Sequence, residues 1–414
     1  MHRRALLAGF GLSALSALPG GPVDASASAC GRRPADRARD GQAPDGPWVV
    51  GPDDEANLRE AIALAGVPGA AVAVVDGGDT AQRLGLGVRD ARGAAPMTPD
   101  TVTAAASLGK PVFAYAVLRL VQAGRLDLDR PLAEVAPLPD LGDARARRVT
   151  ARHVLSHSTG FPNWRQRPEP LIPAFAPGER FGYSGEGFYL LQRVVERVTG
   201  LPVERVLHEQ VFGPLGMTRT GTLWRPSFGD AVAAGAQPNG AFGYSPRGDA
   251  ERLTAAEGAL GKPAHAWTAD DALRALALVR PEAPAVPNHV LPNVAGSLVT
   301  TAADYARFLA ASLAPRGPHA LDARLGAEML TPQNRLNARL GWGLGWGIER
   351  DRGRTYAWHW GDNGVFKNFV LHEPERGRGV VVFTNSARGA KVYDRAVRAA
   401  ARRDPAGLLY WMVG

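Results

Sequence analysis

Residues 101–113 read Thr-Val-Thr-Ala-Ala-Ala-Ser-Leu-Gly-Lys-Pro-Val-Phe, and the placement of Ser107 and Lys110 within them decides the fold. The run from Thr101 to Ala106 leads directly into Ser107. A serine and a lysine three apart share one face of a helix, so the ammonium reaches the hydroxyl. Pro111 has no N–H to donate to the carbonyl four residues back, and its ring crowds that carbonyl. Ser107 is therefore predicted at the very start of a helix. A helix start offers free N–H groups and the positive end of the dipole, which suit a developing oxyanion.

A serine hydroxyl is a weak nucleophile until an adjacent base activates it. Taken alone, S-x-x-K is equally a surface serine beside a surface lysine. The composition sharpens it. Lysine occurs only at Lys110, Lys262, Lys367 and Lys391, and arginine supplies the other basic residues. A buried lysine loses its proton, whereas arginine effectively does not.

The 414 residues suffice for one large or two ordinary domains. The chain is 45% hydrophobic and 21% charged, ordinary for a globular protein. Its net charge of +8 comes with no basic helix carrying interleaved aromatics, which argues against nucleic-acid binding. Arg3-Arg4 followed by the apolar run Ala5 to Leu18 reads as an export signal over residues 1–29, too short to remain as a membrane span. Small residues at Ala25-Ser26-Ala27 and Ala27-Ser28-Ala29 suit cleavage. The expected location is periplasmic or extracellular. The paired arginines fit a twin-arginine signal or a plain basic region. Cys30 is the only cysteine, so no intrachain disulfide forms. Its setting loosely resembles a lipoprotein cleavage site, but soluble export is the favoured reading. Residues 30–46 read as a flexible tether.

Strands are predicted at Gly69–Val75 and Arg83–Val88, turning at Gly77-Gly78-Asp79. The helix after Ser107 places Phe113, Ala116, Val117, Leu120 and Val121 on one side and closes at Gly124. Thr150 caps a short helix that Ser158-Thr159-Gly160 ends. A further helix carries Phe188, Leu191, Val194, Val195 and Val198 to Gly200. Residues 222–292 are expected to be mostly loop around one helix near Asp270–Val279, and Thr301–Leu313 is another helix. Trp342, Leu344, Trp346 and Ile348 alternate with glycines, which predicts an edge or corner strand with one bulky face. Strands are predicted at Tyr356–Gly361, Phe366–Leu371 and Gly379–Thr384, and a last helix at Val392–Arg403.

Five segments in order then resemble one family. They are Ser107-x-x-Lys110, Leu155-Ser156-His157-Ser158-Thr159-Gly160, Tyr183-Ser184-Gly185, Ala295 to Asp304, and His359-Trp360-Gly361. Over roughly residues 50–405 the chain resembles the serine β-lactamase and penicillin-binding protein superfamily. The likeness is to its class C-like branch, which also holds D-amino-acid peptidases and esterases. The resemblance implies an α+β (α/β) fold, with an antiparallel sheet flanked by helices plus a mostly helical domain. The hydrolase domain would cover 47–405, its α/β part about 47–140 and 290–405 and its helical part about 141–289, with 406–414 a C-terminal tail. The pocket would lie in the seam.

By the same resemblance, Ser107 would attack a carbonyl and Lys110 would share its proton. Tyr183 would shuttle a proton to the leaving group and from the attacking water. Because a phenol is a poor base near pKa 10, Lys110 would favour its phenolate. His359 would help bind a substrate carboxylate or tune the tyrosine. The backbone N–H groups of Ser107 and Asp362 would form the oxyanion hole. Gly185, Trp360 and Gly361 would contact substrate, Gly361 by letting it approach the strand closely. His157 would fix a helix end. Lys367 and Asn368 reach the cleft or, for Lys367, solvent. Two departures stand out: Gly185 occupies a position where many relatives carry asparagine, and His359 replaces a lysine. Both lean away from efficient β-lactam hydrolysis.

The reading is thus an exported serine hydrolase acting through an acyl-enzyme, with no metal or cofactor, on an ester or peptide-like amide. A small-molecule or peptidoglycan-like substrate is implied. A true β-lactamase is one alternative, and a non-catalytic binder of cell-wall fragments is another. No G-x-S-x-G elbow is present. His208-Glu209 lacks the second histidine of a zinc-protease helix, since Phe212 stands there.

Overall fold

The strand Gly69–Asp76 (β1) is apolar along its length because both of its faces are covered. Ala70, Val72 and Val74 point into one core with Leu58 and Ile62 of the helix Pro52–Ala65 and Val392 and Val397 of the helix Ala390–Ala401. Ala71, Ala73 and Val75 point the other way, toward Phe308 and Leu309 of the helix Ala302–Ser312. A strand buried on both sides loses the usual alternation of apolar and polar residues. The computed structural model describes residues 46–279, 290–312 and 317–413. The expected export signal, Cys30 and the tether up to residue 45 lie outside the described residues, as do 280–289 and Leu313.

Eight antiparallel strands form the main sheet. In spatial order they are Asp79–Gly87 (β2), β1, Arg378–Thr384 (β10), Lys367–Glu373 (β9), Arg354–Asp362 (β8), Gly347–Asp351 (β7), Leu340–Trp342 (β6) and Asn334–Arg335 (β5). The two ends of the chain meet where Ala70 pairs with Thr384. A separate antiparallel pair joins Thr103–Ala106 (β3) to Leu298–Thr300 (β4). The middle of the chain supplies helices, among them Gly109–Gln122, Ala151–Leu155, Gly185–Thr199 and Ala269–Val279. No described helix is long and apolar enough to cross a membrane.

Several expectations are corrected. The helix Gly109–Gln122 is buried all round from Gly109 to Leu118, rather than on one stripe, so it is a central helix. The Trp342–Ile348 segment is not one strand. Gly345, at φ +83°, turns β6 into β7 and lets the turn press against Ala114 of that helix. Trp342 consequently packs on one face of the sheet, while Leu344, Trp346 and Ile348 enter the opposite core. Residues 222–292 hold more order than one helix. Ser245 caps a helix Pro246–Glu251, and Thr254–Leu260 forms another. The expected tail is the helix Ala406–Val413, docked by Gly407, whose backbone lies against the Trp358 ring and donates to Glu349 Oε2 (3.1 Å).

Asn385 fastens the two chain ends. Its Oδ1 accepts from Gly69 N (2.8 Å), and its Nδ2 is shared among the carbonyls of Val88 (3.2 Å), Arg89 (3.0 Å) and Ala234 (3.2 Å). Truncation takes this partner from the buried Gly69 N–H and the buried Ala234 carbonyl. Asn385→Ala is expected to lower the unfolding free energy by about 3 kcal/mol, measured by denaturant titration.

Candidate active site

The Ser107 hydroxyl sits in the turn between β3 and the helix Gly109–Gln122. The preceding Ala106 has φ +54°, a strained value for a residue with a side chain. Lys110 N donates to Ser107 O (3.0 Å), the first bond of the helix, so the pair lies on its opening turn as the S-x-x-K spacing and Pro111 predict. Lys110 is only 1% exposed. Its Nζ donates to Ser107 Oγ (2.9 Å) and to the Ala295 carbonyl (2.7 Å), and Ser107 Oγ lies 3.3 Å from that same carbonyl. Burial holds the Lys110 pKa well below its ordinary value.

Tyr183 converges on the same point. Lys110 Nζ stands 4.8 Å above the centre of its ring. His157 stacks on that ring at 4.1 Å, and Trp360 stacks at 5.1 Å. Tyr183 Oη is buried and has no hydrogen-bond partner among the described residues. Burial pushes its pKa up, and the neighbouring Ser107 hydroxyl draws it part of the way back. The expected phenolate is therefore not the resting form. Burial favours the protonated form of Tyr183 and disfavours that of Lys110, which makes the amine the better base.

The two histidines are fixed in complementary tautomers. His157, at φ +53°, accepts from Ser184 N through Nδ1 (3.0 Å), so Nε2 carries the proton. That bond ties the end of the helix Ala151–Leu155 to the start of the helix Gly185–Thr199 and orients Tyr183 between them. His359 lies on β8, with Nδ1 2.7 Å from the Trp360 carbonyl, so Nδ1 carries the proton and Nε2 is an acceptor. Burial, with Lys110 nearby, lowers the His359 pKa to about 3. A neutral ring offers no cation to a substrate carboxylate, which corrects that part of the expectation. Both Nε2 atoms are buried without hydrogen-bond partners among the described residues, as is Tyr183 Oη. Such atoms gathered at one place mark a surface prepared for a polar ligand.

The glycines act differently from expectation. A Cβ at Gly361 would lie 2.1 Å from the Ala105 carbonyl, so the close approach it permits is that of β3, the strand delivering Ser107. Asn368 strengthens this contact by donating to the Ala104 carbonyl (2.9 Å). Gly185 is buried beneath the Trp164 ring, 2.5 Å from where a Cβ would stand, and its N–H donates to Asn163 O and Oδ1 (both 3.0 Å). Trp164, rather than Gly185, presents the half-buried surface there. The Asp362 carboxylate is held by Lys367 Nζ (2.5 Å) and Gly364 N (2.8 Å). Lys367 is thus paired, and only the Asp362 backbone remains for the expected oxyanion role. Trp164 and the Ala295 carbonyl are the two site elements that the sequence reading did not single out. Among the described residues no cluster of histidine, cysteine and carboxylates is arranged to hold a metal.

Residues 55–403 match the Beta-lactamase family model. The chain is 33% identical over 185 residues to esterase EstB of Burkholderia gladioli, a stretch covering 37% of this chain and 46% of that enzyme. The aligned part thus spans less than half the length of that relative. Penicillin-binding protein 4 of Amycolatopsis lactamdurans is 28% identical over 350 residues, covering 77% of this chain and 81% of that protein. A solved β-lactamase/D-alanine carboxypeptidase from Pseudomonas syringae superposes with a TM-score of 0.65 at 16% identity, over 85% of this chain and 98% of the other.

Two outcomes are expected at this site. Gly361→Ala forces β8 away from the Ala105 carbonyl and should cut turnover at least about 100-fold, read from kcat/KM, while circular dichroism retains the folded signal. With its pKa depressed to about 3, His359 is neutral above that value, so its ring signals in nitrogen-correlated NMR should show the Nδ1–H tautomer without a midpoint between pH 5 and 8.

Proposed function

The chain belongs to the Beta-lactamase family, and we propose on that premise that it is a serine hydrolase that cleaves esters through an acyl-enzyme on Ser107. The observation that carries this reading is the three-point contact of the buried Lys110 Nζ with Ser107 Oγ, the Ala295 carbonyl and the Tyr183 ring. Lys110, in its amine form, takes the proton from Ser107 Oγ as that oxygen bonds to the substrate carbonyl carbon. The carbonyl oxygen gains the negative charge and is received by the N–H groups of Ser107 and Asp362. The tetrahedral carbon then expels the leaving group. Tyr183, a neutral phenol, gives that group its proton and recovers one from Lys110. A water repeats the sequence on the acyl-serine and frees the acid.

Esters rank ahead of β-lactams for two reasons. Position 185 carries no side-chain amide, and Trp164 fills the space where one would extend. The partial likeness to an esterase supports the same ranking. Peptide-like amides with D-residues come next, in keeping with the carboxypeptidase fold neighbour. Export through residues 1–29, which would bring the enzyme to extracellular or cell-wall substrates, belongs to the same proposal.

The test compares 4-nitrophenyl butyrate, a chromogenic cephalosporin and a D-alanyl-D-alanine peptide, with intact-mass detection of acylated protein. Ester turnover should exceed cephalosporin turnover. Ser107→Ala should lower kcat/KM at least about 10,000-fold, and Tyr183→Phe about 100- to 10,000-fold. Full activity in the Ser107→Ala protein would sink the mechanism. A stable mass gain on Ser107 with no turnover would instead identify a binder.

A further inference from the structure

The turn that leaves β8 is fastened on the side of the active site. Asp362 and Lys367 are the closing pair of the β8–β9 hairpin. Gly364, at φ +81°, donates its N–H to Asp362 Oδ1 (2.8 Å), and Asn363 N donates to the Phe366 carbonyl (3.3 Å). Asn363 Nδ2 donates to the Gly296 carbonyl (2.9 Å), next to the Ala295 carbonyl that receives Lys110. Lys367 Nζ lies 2.5 Å from Asp362 Oδ2, and its own carbonyl accepts from Thr384 Oγ1 (2.6 Å). The Lys367 and Asp362 side chains are 19% and 18% exposed, so water and salt screen this pair only in part. Lys367 is the one cation paired with Asp362 among the described residues.

A carboxylate at this place works against the proposed reaction. Covalent geometry keeps its carbon within about 4 Å of the Asp362 backbone nitrogen. That nitrogen carries one of the two N–H groups that receive the substrate oxyanion, at a hydrogen-bond distance of about 2.9 Å. Two negative charges would then stand within roughly 7 Å of each other. At that separation, with an effective dielectric constant of about 20 near the surface, an uncompensated carboxylate disfavours the oxyanion by about 50-fold. The carboxylate is nevertheless used, because its Oδ1 holds the turn through Gly364 N.

We propose that Lys367 is a positioning residue of the oxyanion hole. Acting through Asp362, it cancels the carboxylate charge, so that a side chain which shapes the turn can sit beside a place where negative charge develops. The proposal rests on the serine hydrolase reading and adds a charge requirement to it.

Lys367→Met removes the charge and keeps an unbranched stem. With 4-nitrophenyl butyrate it should lower kcat about 10- to 50-fold and leave KM within about twofold, because the opposing charge develops only in the transition state. Lys367→Arg, which keeps the charge, should lose less than about threefold. Asp362→Asn added to Lys367→Met keeps an oxygen for Gly364 N and removes the stray charge, so it should recover at least about fivefold in kcat. A lysine that merely braced the hairpin would give no such recovery. Phenylboronic acid reads the same hole without turnover: Ser107 Oγ bonds to boron, its proton passes to Lys110, and the boron becomes a tetrahedral anion with an oxygen in the hole. Its affinity, measured by calorimetry, should fall in Lys367→Met and return in the double variant. Unaltered ester turnover in Lys367→Met, no recovery in the double variant, or a boronate affinity indifferent to Lys367 overturns the role and leaves the hydrolase reading standing. If boronate affinity follows the Asp362–Lys367 charge but no ester is cleaved, the role stands and the hydrolase reading falls.

Discussion

The structure depends on a charge that has been taken out of water. Lys110 is the one side chain on the buried stretch Gly109–Leu118 of the central helix that is ordinarily charged at neutral pH, and its polar contacts are a hydroxyl and a carbonyl rather than a carboxylate. An ammonium in such a place is costly, and that cost lowers the pKa of Lys110 and favours the neutral amine. Everything around it serves this arrangement. Ala295 supplies an acceptor that cannot ionise, Tyr183 and Phe188 offer ring faces, and both histidines are held neutral by the same burial. With a carboxylate beside it, Lys110 would stay charged and would lose its use as a base.

Strand and helix positions were legible where the chemistry is local. The hairpin of β1 and β2 announces itself by a β-branched run and a Gly-Gly-Asp turn, and β8 to β10 by apolar runs around Glu373–Gly377. Thr150, Gly124 and Gly200 mark helix ends as their residue types suggest. The helix Pro52–Ala65 escapes such reading because its buried residues, Leu58, Ala61 and Ile62, are few. The alternation of tryptophans and glycines at 342–348 misleads because Gly345 reverses the chain, and a turn resets which face each side chain meets. Pro246–Leu260 is hidden by its short helices and by its richness in alanine and glycine.

At the site, the side chains were legible and the backbone was not. Ser107, Lys110, Tyr183 and His359 converge as their order in the chain suggested. The Ala295 carbonyl has no signature, since every residue carries one. The uses of Gly185 and Gly361 also needed coordinates. A missing side chain shows that something comes close, and only the fold shows that the visitors are the Trp164 ring and the Ala105 carbonyl. The electrostatic states were the least legible, because burial decides them and burial belongs to the whole fold.

The pairing of β1 with β10 has a consequence for how the molecule is made. Gly69 and Asn385, joined by a hydrogen bond, are 316 positions apart. A nascent chain leaving the ribosome therefore presents β1 and β2 long before their neighbour in the sheet exists. Until then β1 is an apolar ribbon with an open margin, the kind of surface that aggregates or engages a chaperone. Closure must wait for most of the polypeptide, so folding should be slow and largely post-translational, and loss of Arg378–Thr384 would part the β1–β2 hairpin from the rest of the sheet.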